Sequence, residues 1–212
     1  MKNELTPSRY PGRSSQQLED VLHVLDECKI CTVSFVEDGK AKAIPTGFCV
    51  FDNQLLIHGS NKSHFLKSLL NDQEVCITTF QLDGLVLAVS AFEHSVNYRS
   101  AVIFSKAREI TDMDEKRASL YAFTEKFVPG RWDRLRPIKD GELAASTAVA
   151  FSLDKASVKM RNGPATVHPD GWEKKVWTGI IPVSAKYGKP EPGAYVSEDM
   201  ALPEHVVNLL EQ

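Results

Sequence analysis

The 212-residue chain has no apolar run near the roughly 20 residues that would cross a bilayer as a helix. It has no excess of basic charge either: 25 lysines and arginines stand against 28 acidic residues, a net of −3. A non-specific nucleic-acid binder needs a basic footprint to displace counterions, so neither a membrane nor a nucleic acid is an expected partner. The opening segment, MKNELTPSRYPGRSS, lacks the apolar stretch of a secretory signal, which makes the cytoplasm the expected compartment. There is no dinucleotide-binding GxGxxG, no phosphate-binding P-loop, no GxSxG nucleophile elbow and no HExxH.

Cysteine is scarce, and its spacing is uninformative. Cys28 and Cys31 form a CxxC, but it runs straight into the alternating Thr32-Val33-Ser34-Phe35-Val36, and Cys49 and Cys76 stand alone. A structural zinc site needs a second close pair, so these side chains read as small buried hydrophobes. The six histidines, His23, His58, His64, His94, His168 and His205, show no ligand spacing, and no metal site is expected.

What the chain does contain is turn-punctuated strand pattern. Residues 1–15 are polar and read as an arm. Leu18, Val21, Leu22 and Leu25 then recur at helical spacing. Strands follow over 31–36, 41–51 and 54–58, separated by Asp38-Gly39 and Asp52-Asn53, and read as a β-meander. A helix is expected over 62–70, and strands over 75–80, 85–92 and 100–110. Asp112 with Glu115 is a capping-box arrangement, opening a helix to about Val128 with Leu120, Phe123 and Phe127 inward. Long strands over 144–160 and 176–184 flank a polar loop, 161–174, and 204–210 closes the chain with a helical signal. The sum is a mainly β protein: one β-barrel domain over 16–185 with peripheral helices, and a tail over 186–212.

Four places could carry chemistry. In Leu56-Ile57-His58-Gly59-Ser60-Asn61-Lys62-Ser63, a strand meets a glycine turn and then a helix. Free backbone N–H groups, two hydroxyls and Lys62 there suit a phosphate, although an ordinary helix cap uses the same residues. Glu93 to Ser100 is polar between apolar strands. Arg99 there suits an anion or a structural carboxylate partner equally. Trp132, after Pro129-Gly130-Arg131, suits either a flat ligand or a packing role. Trp177 sits in a strand pattern, which favours packing.

Six stretches together resemble the FMN-binding split-barrel proteins related to pyridoxamine 5′-phosphate oxidase. The resemblance is closest to the flavin-nucleotide-binding branch that includes nitroimidazole-reductase resistance proteins. They are Ile44-Pro45-Thr46, Leu56 to Ser60, Asp83 to Ala88, His94 to Ser100, Pro129-Gly130-Arg131-Trp132 and Trp177 to Pro182, spread over about residues 15 to 185. The resemblance implies a homodimer with FMN at the subunit interface. Ile44, Pro45 and Thr46 would lie along the flavin ring, and His58, Gly59 and Ser60 beside the ring or ribityl chain. Lys62 and Ser63 would meet the phosphate, while Asn97, Tyr98, Arg99 and Ser100 would approach from a neighbouring strand, with Trp177 nearby. Trp132 would reach across the dimer. Many relatives carry an arginine near the phosphate turn where this chain has Lys62, which cannot offer bidentate geometry. The residues that would hold pyridoxal phosphate have no match, so vitamin B6 oxidation is not expected.

The implied activity is that of an FMN-dependent oxidoreductase, passing hydride from NAD(P)H through flavin to a small acceptor such as a nitroaromatic or quinone. It agrees with the missing catalytic sets, because the cofactor carries the chemistry. The alternatives are a flavin-binding or storage protein without turnover, and a split-barrel module for another cofactor, haem or a deazaflavin.

Overall fold

The computed structural model describes residues 9–166, 176–197 and 200–211. Residues 1–8 of the expected arm and 167–174 of the polar loop, with His168, lie outside the described residues.

After a short turn, β1 (Ser14–Ser15) pairs with β9 (Ala156–Arg161) through Ser14–Lys159 and Ser15–Val158, so this end of the arm is tied to the barrel. Helix α1 (Leu18–Glu27) buries Val21, Val24 and Leu25 and leaves Leu18 at the surface. The strands β2 (Ile30–Glu37) and β3 (Lys40–Gly47) form a hairpin. Asp38 and Gly39 both have positive φ, 51° and 72°, as a turn matching the strands' right-handed twist requires. A second such turn, at Asp52 and Asn53, joins β4 (Cys49–Phe51) to β5 (Gln54–Ser60).

The expected meander is broken at Phe48. There the chain leaves β2 and crosses to β5, so the return strand is divided between two pairings and the three strands do not lie side by side. Phe48 is fully buried, which holds the bend in the core. With α2 (His64–Leu69), β6 (Glu74–Leu87), β7 (Ser95–Ile110) and β8 (Ser146–Ser152), the order is β3-β2-β6-β7-β8-β5-β4. Because β3 runs into β4 through Phe48 alone, this order returns on itself as a barrel.

The strands expected over 75–80 and 85–92 are one strand, β6, kept whole by a bulge between Leu82 and Gly84. Its partner β7 begins at Ser95, so the polar block is itself strand. The strand expected over 144–160 is two, β8 and β9, which turn at Leu153–Lys155 and pair with different parts of β7. The strand expected over 176–184 shrinks to β10 (Gly179–Pro182), laid on the end of β6.

Helix α3 (Met113–Phe127) opens on Asp112, whose carboxylate accepts from the Asp114 and Glu115 N–H groups at 3.0 and 2.8 Å. Glu115 does not close the box; it takes Arg108 of β7 in a two-pronged pair at 2.6 and 3.2 Å. The buried face of α3 carries Lys116 and Ser119, and Lys116 donates to the Ser146 carbonyl at 3.1 Å. Phe123 packs beside this face, whereas Leu120, expected inward, opens outward into a cavity. Helix α4 (Asp140–Ala144) precedes β8, and α5 (Glu204–Leu210) rests its His205 against Gly130. One core fills the barrel and a smaller one lies between β4, β5, β8 and α3. No described helix is long and apolar enough to cross a membrane.

Candidate functional site

The predicted site residues fall into three groups on this frame. The first is β3. Ile44, Pro45 and Thr46 stand opposite Val33, Thr32 and Cys31, and only β2 pairs with this strand among the described residues. Its outer backbone edge is therefore open, and Pro45 suits such an edge because it has no N–H to donate. The strand's burial is low along nearly its whole length; Ile44 is 38% exposed.

The second group ends β5. His58, Gly59 and Ser60 pair with Ala148, Thr147 and Ser146. Alternation along the strand sends Leu55 and Ile57 into the barrel and His58 outward, beneath α3. Its imidazole meets Phe123 edge-on at 4.2 Å, and its Nδ1 is buried with no hydrogen-bond partner. Burial pushes the His58 pKa below its ordinary value, so the ring is neutral at pH 7. At Gly59 a Cβ would stand 3.1 Å from Leu66.

In the turn that follows, Ser60 Oγ accepts from the Lys62 N–H at 3.2 Å, and Ser63 Oγ caps α2 by accepting from Leu66 N–H at 3.3 Å. Both hydroxyls thus serve the backbone as acceptors and keep their O–H protons. Lys62 is exposed and makes no ion pair among the described residues.

The third group opens β7, and its polar side chains have protein partners. Asn97, 3% exposed, accepts through Oδ1 from Arg161 and from the Gly163 N–H. Arg99 holds Asp83 bidentately, at 3.0 and 2.7 Å, with Glu27 at 3.6 Å. Ser100 donates to the Lys159 carbonyl at 3.1 Å, and Tyr98 pairs with Arg161 across the ladder. Arg99 also lines a cleft of about 790 Å³ between the end of α1, β6 and residues 183–187. Trp177 is 64% exposed, its indole lying where a Cβ on Gly179 would be, 2.8 Å away.

The structure draws the first two groups together and keeps the third apart. A Cβ on Gly47, at the end of β3, would stand 3.0 Å from Phe123 and 3.1 Å from Phe127, and Phe123 in turn touches His58. Two strands, β2 and β6, separate Thr46 from Ala101, roughly 14 Å at ordinary strand spacing. Sequence reasoning missed the part of Phe123 and Phe127; only their helical spacing marked them, and it pointed to core.

A sheet path whose two ends, β3 and β4, are one stretch of chain bent at Phe48 between two pairings defines the split-barrel class. The chain belongs to the pyridoxamine 5′-phosphate oxidase family: the family model described as pyridoxamine 5′-phosphate oxidase matches residues 17–160. The resemblance read from the six stretches therefore holds. No curated protein matches the sequence significantly.

Among solved structures, the flavocytochrome Anf3 from Azotobacter vinelandii is 30% identical. The match covers 98% of this chain and 96% of that one, with a TM-score of 0.88. A FAD- and haem-binding protein from Mycobacterium smegmatis is 34% identical over 93% and 97% of the two chains, also with a TM-score of 0.88. A candidate 5-nitroimidazole antibiotic resistance protein from Bacteroides thetaiotaomicron shares the fold at 18% identity and a TM-score of 0.59, over 69% and 85%.

Proposed function

We propose that this protein is a flavin- and haem-binding redox protein of the flavocytochrome type, with FAD in place of the expected FMN. The observation that carries the reading is the pair of relatives at 30% and 34% identity. Both align over nearly their whole length, and they are described as a flavocytochrome and as a FAD- and haem-binding protein. Neither description names FMN.

The residues present suit both groups. Haem iron needs an axial ligand, and neutral imidazole is a common one. His58 supplies a ring that burial holds neutral, with a nitrogen no protein group claims. The buried thiols Cys31 and Cys49 are poor competitors, because burial pushes each up to about 12. For the flavin, the open edge of β3 offers backbone groups, and Lys62 offers a cation to a phosphate.

A second copy of the chain is the expected partner. On the outer face of β2 and β6, Ile30 is 53% and Phe80 74% exposed, both lining the cleft that residues 183–187 border, and a partner on this face would place a flavin between subunits. When bound, a flavin would supply two-electron hydride chemistry toward NAD(P)H and a haem one-electron transfer. His58 would hold the iron, β3 would orient the ring, and the nitroaromatic or quinone acceptor is kept as a substrate class to screen.

The absorbance spectrum of the purified protein tests the reading. A Soret band together with a flavin band is expected, with FAD identified by mass after acid release, and His58→Ala should lose the Soret band while keeping the flavin. FMN alone, with no haem taken up from added hemin, would overturn it. Light scattering should give a dimer, and a monomer would remove the interface.

A further inference from the structure

The helix α3 has a second working face. Lys116, Ser119 and Phe123 turn toward the barrel, while Arg117, Leu120 and Thr124, spaced three and four residues apart, form a neighbouring stripe about 100° around the helix. This outer stripe walls a separate cavity of about 630 Å³, closed opposite by Trp132, Leu135, Pro137 and Ile138.

The far wall is fixed in place. Both oxygens of the Glu125 carboxylate accept from backbone N–H groups, Gly130 at 2.6 Å and Trp132 at 2.8 Å. Arg136 donates to Glu142 from both terminal guanidinium nitrogens, and Glu142 also accepts from the Lys139 N–H at 2.9 Å. Tyr121 meets the Trp132 ring edge-on at 5.7 Å. A wall held this way costs a ligand little ordering entropy.

The charges divide unequally. Arg136 is committed to Glu142. Arg117 has only long contacts, 3.4 Å to the Ile138 carbonyl and 3.5 Å to Asp140, whose side chain is 91% exposed. A guanidinium so weakly held keeps donors for a ligand. Asp133 lines the same cavity with no ion pair among the described residues, which disfavours a second negative charge on whatever binds.

We propose that this cavity is a small-molecule site independent of the flavin reading, taking a flat apolar ligand with a single carboxylate. The carboxylate meets Arg117 and the ring lies against Trp132. Calorimetric titration of the whole protein with 2-naphthoate and its uncharged isostere 2-naphthamide tests this. Saturable binding is expected, with the acid at least about tenfold tighter than the amide. Arg117→Gln should erase that preference and Trp132→Leu should weaken both ligands. Arg117 is partly exposed, and thermal melting checks that its replacement leaves the fold intact. Equal binding of acid and amide, an undiminished preference in Arg117→Gln, or no saturable binding of either compound would each overturn the proposal.

Discussion

The Phe123 ring stands perpendicular to the His58 imidazole, their centroids 4.2 Å apart, and stacks on Phe127 at 4.7 Å. The two phenyl rings also fill the space that Gly47 leaves at the end of β3. One helix face thus touches both the open strand edge and the buried histidine. Replacing Phe123 with Ala should cost about 2 kcal/mol, below the value for a fully enclosed ring because Phe123 is half-buried. Urea denaturation measures the cost. A haem-loaded sample should also show an altered Soret position, because the imidazole loses the ring that orients it.

The pH dependence of stability follows from the same histidine. Burial lowers its pKa below the ordinary 6.5, so the unfolded chain takes up a proton before the folded one does. Stability is therefore full above pH 6.5 and falls as pH drops from there toward the folded-state value. Glu37 and Glu142 are both lowered from 4.5, Glu142 to about 2, by their hydrogen-bonded partners. Their contributions are lost only in the more acidic range below 4.5. Melting temperature between pH 7 and pH 5 should thus decline in the native chain and decline less in His58→Gln. Equal slopes would remove the assignment.

Local features were legible because local chemistry sets them. Asp38-Gly39 needs positive φ at both residues, α1 shows its buried stripe in the spacing of Val21 and Leu25, and Asp112 is a helix cap wherever α3 packs. The bend at Phe48 was not legible, since nothing in Gly47-Phe48-Cys49 distinguishes a strand that continues from one that changes partner. The block from Ser95 to Ser100 looked like a loop because its polar groups need partners. Those partners, Arg161, Asp83 and Lys159, lie up to 64 residues away and meet it only across the sheet. In the candidate site, the residue types were visible in sequence, but which face His58 takes depends on the register of β5.

Gly84 tests the bulge. It is buried where β10 crosses β6, and a Cβ there would stand 3.0 Å from the Ile180 side chain and 3.1 Å from the Ile181 carbonyl. Backbone cannot step aside as a flexible side chain can. Gly84→Ala should cost about 2 kcal/mol and loosen β10 from its partner. Trypsin cleavage at the exposed Lys186 should then speed up relative to the native chain, and an unchanged digestion rate would count against the close packing.

On the proposed reading, Lys62 would meet the flavin phosphate. It is exposed, makes no ion pair among the described residues, and sits between two serines whose hydroxyls accept from the backbone and still have protons to donate. Removing its charge deprives a phosphate of one charge-assisted contact and leaves the fold untouched, because no packed group rests on the ammonium. Lys62→Ala should therefore weaken FMN and FAD by about tenfold while riboflavin, which has no phosphate, binds as before. Fluorescence quenching of the three flavins by the apoprotein measures this. A matching loss for riboflavin would mean that Lys62 shapes the ring pocket instead, and no loss for any of them would move the phosphate elsewhere. Lys62→Arg separates charge from geometry: it should restore binding, and any gain over the native lysine would measure what a bidentate fork adds at this turn.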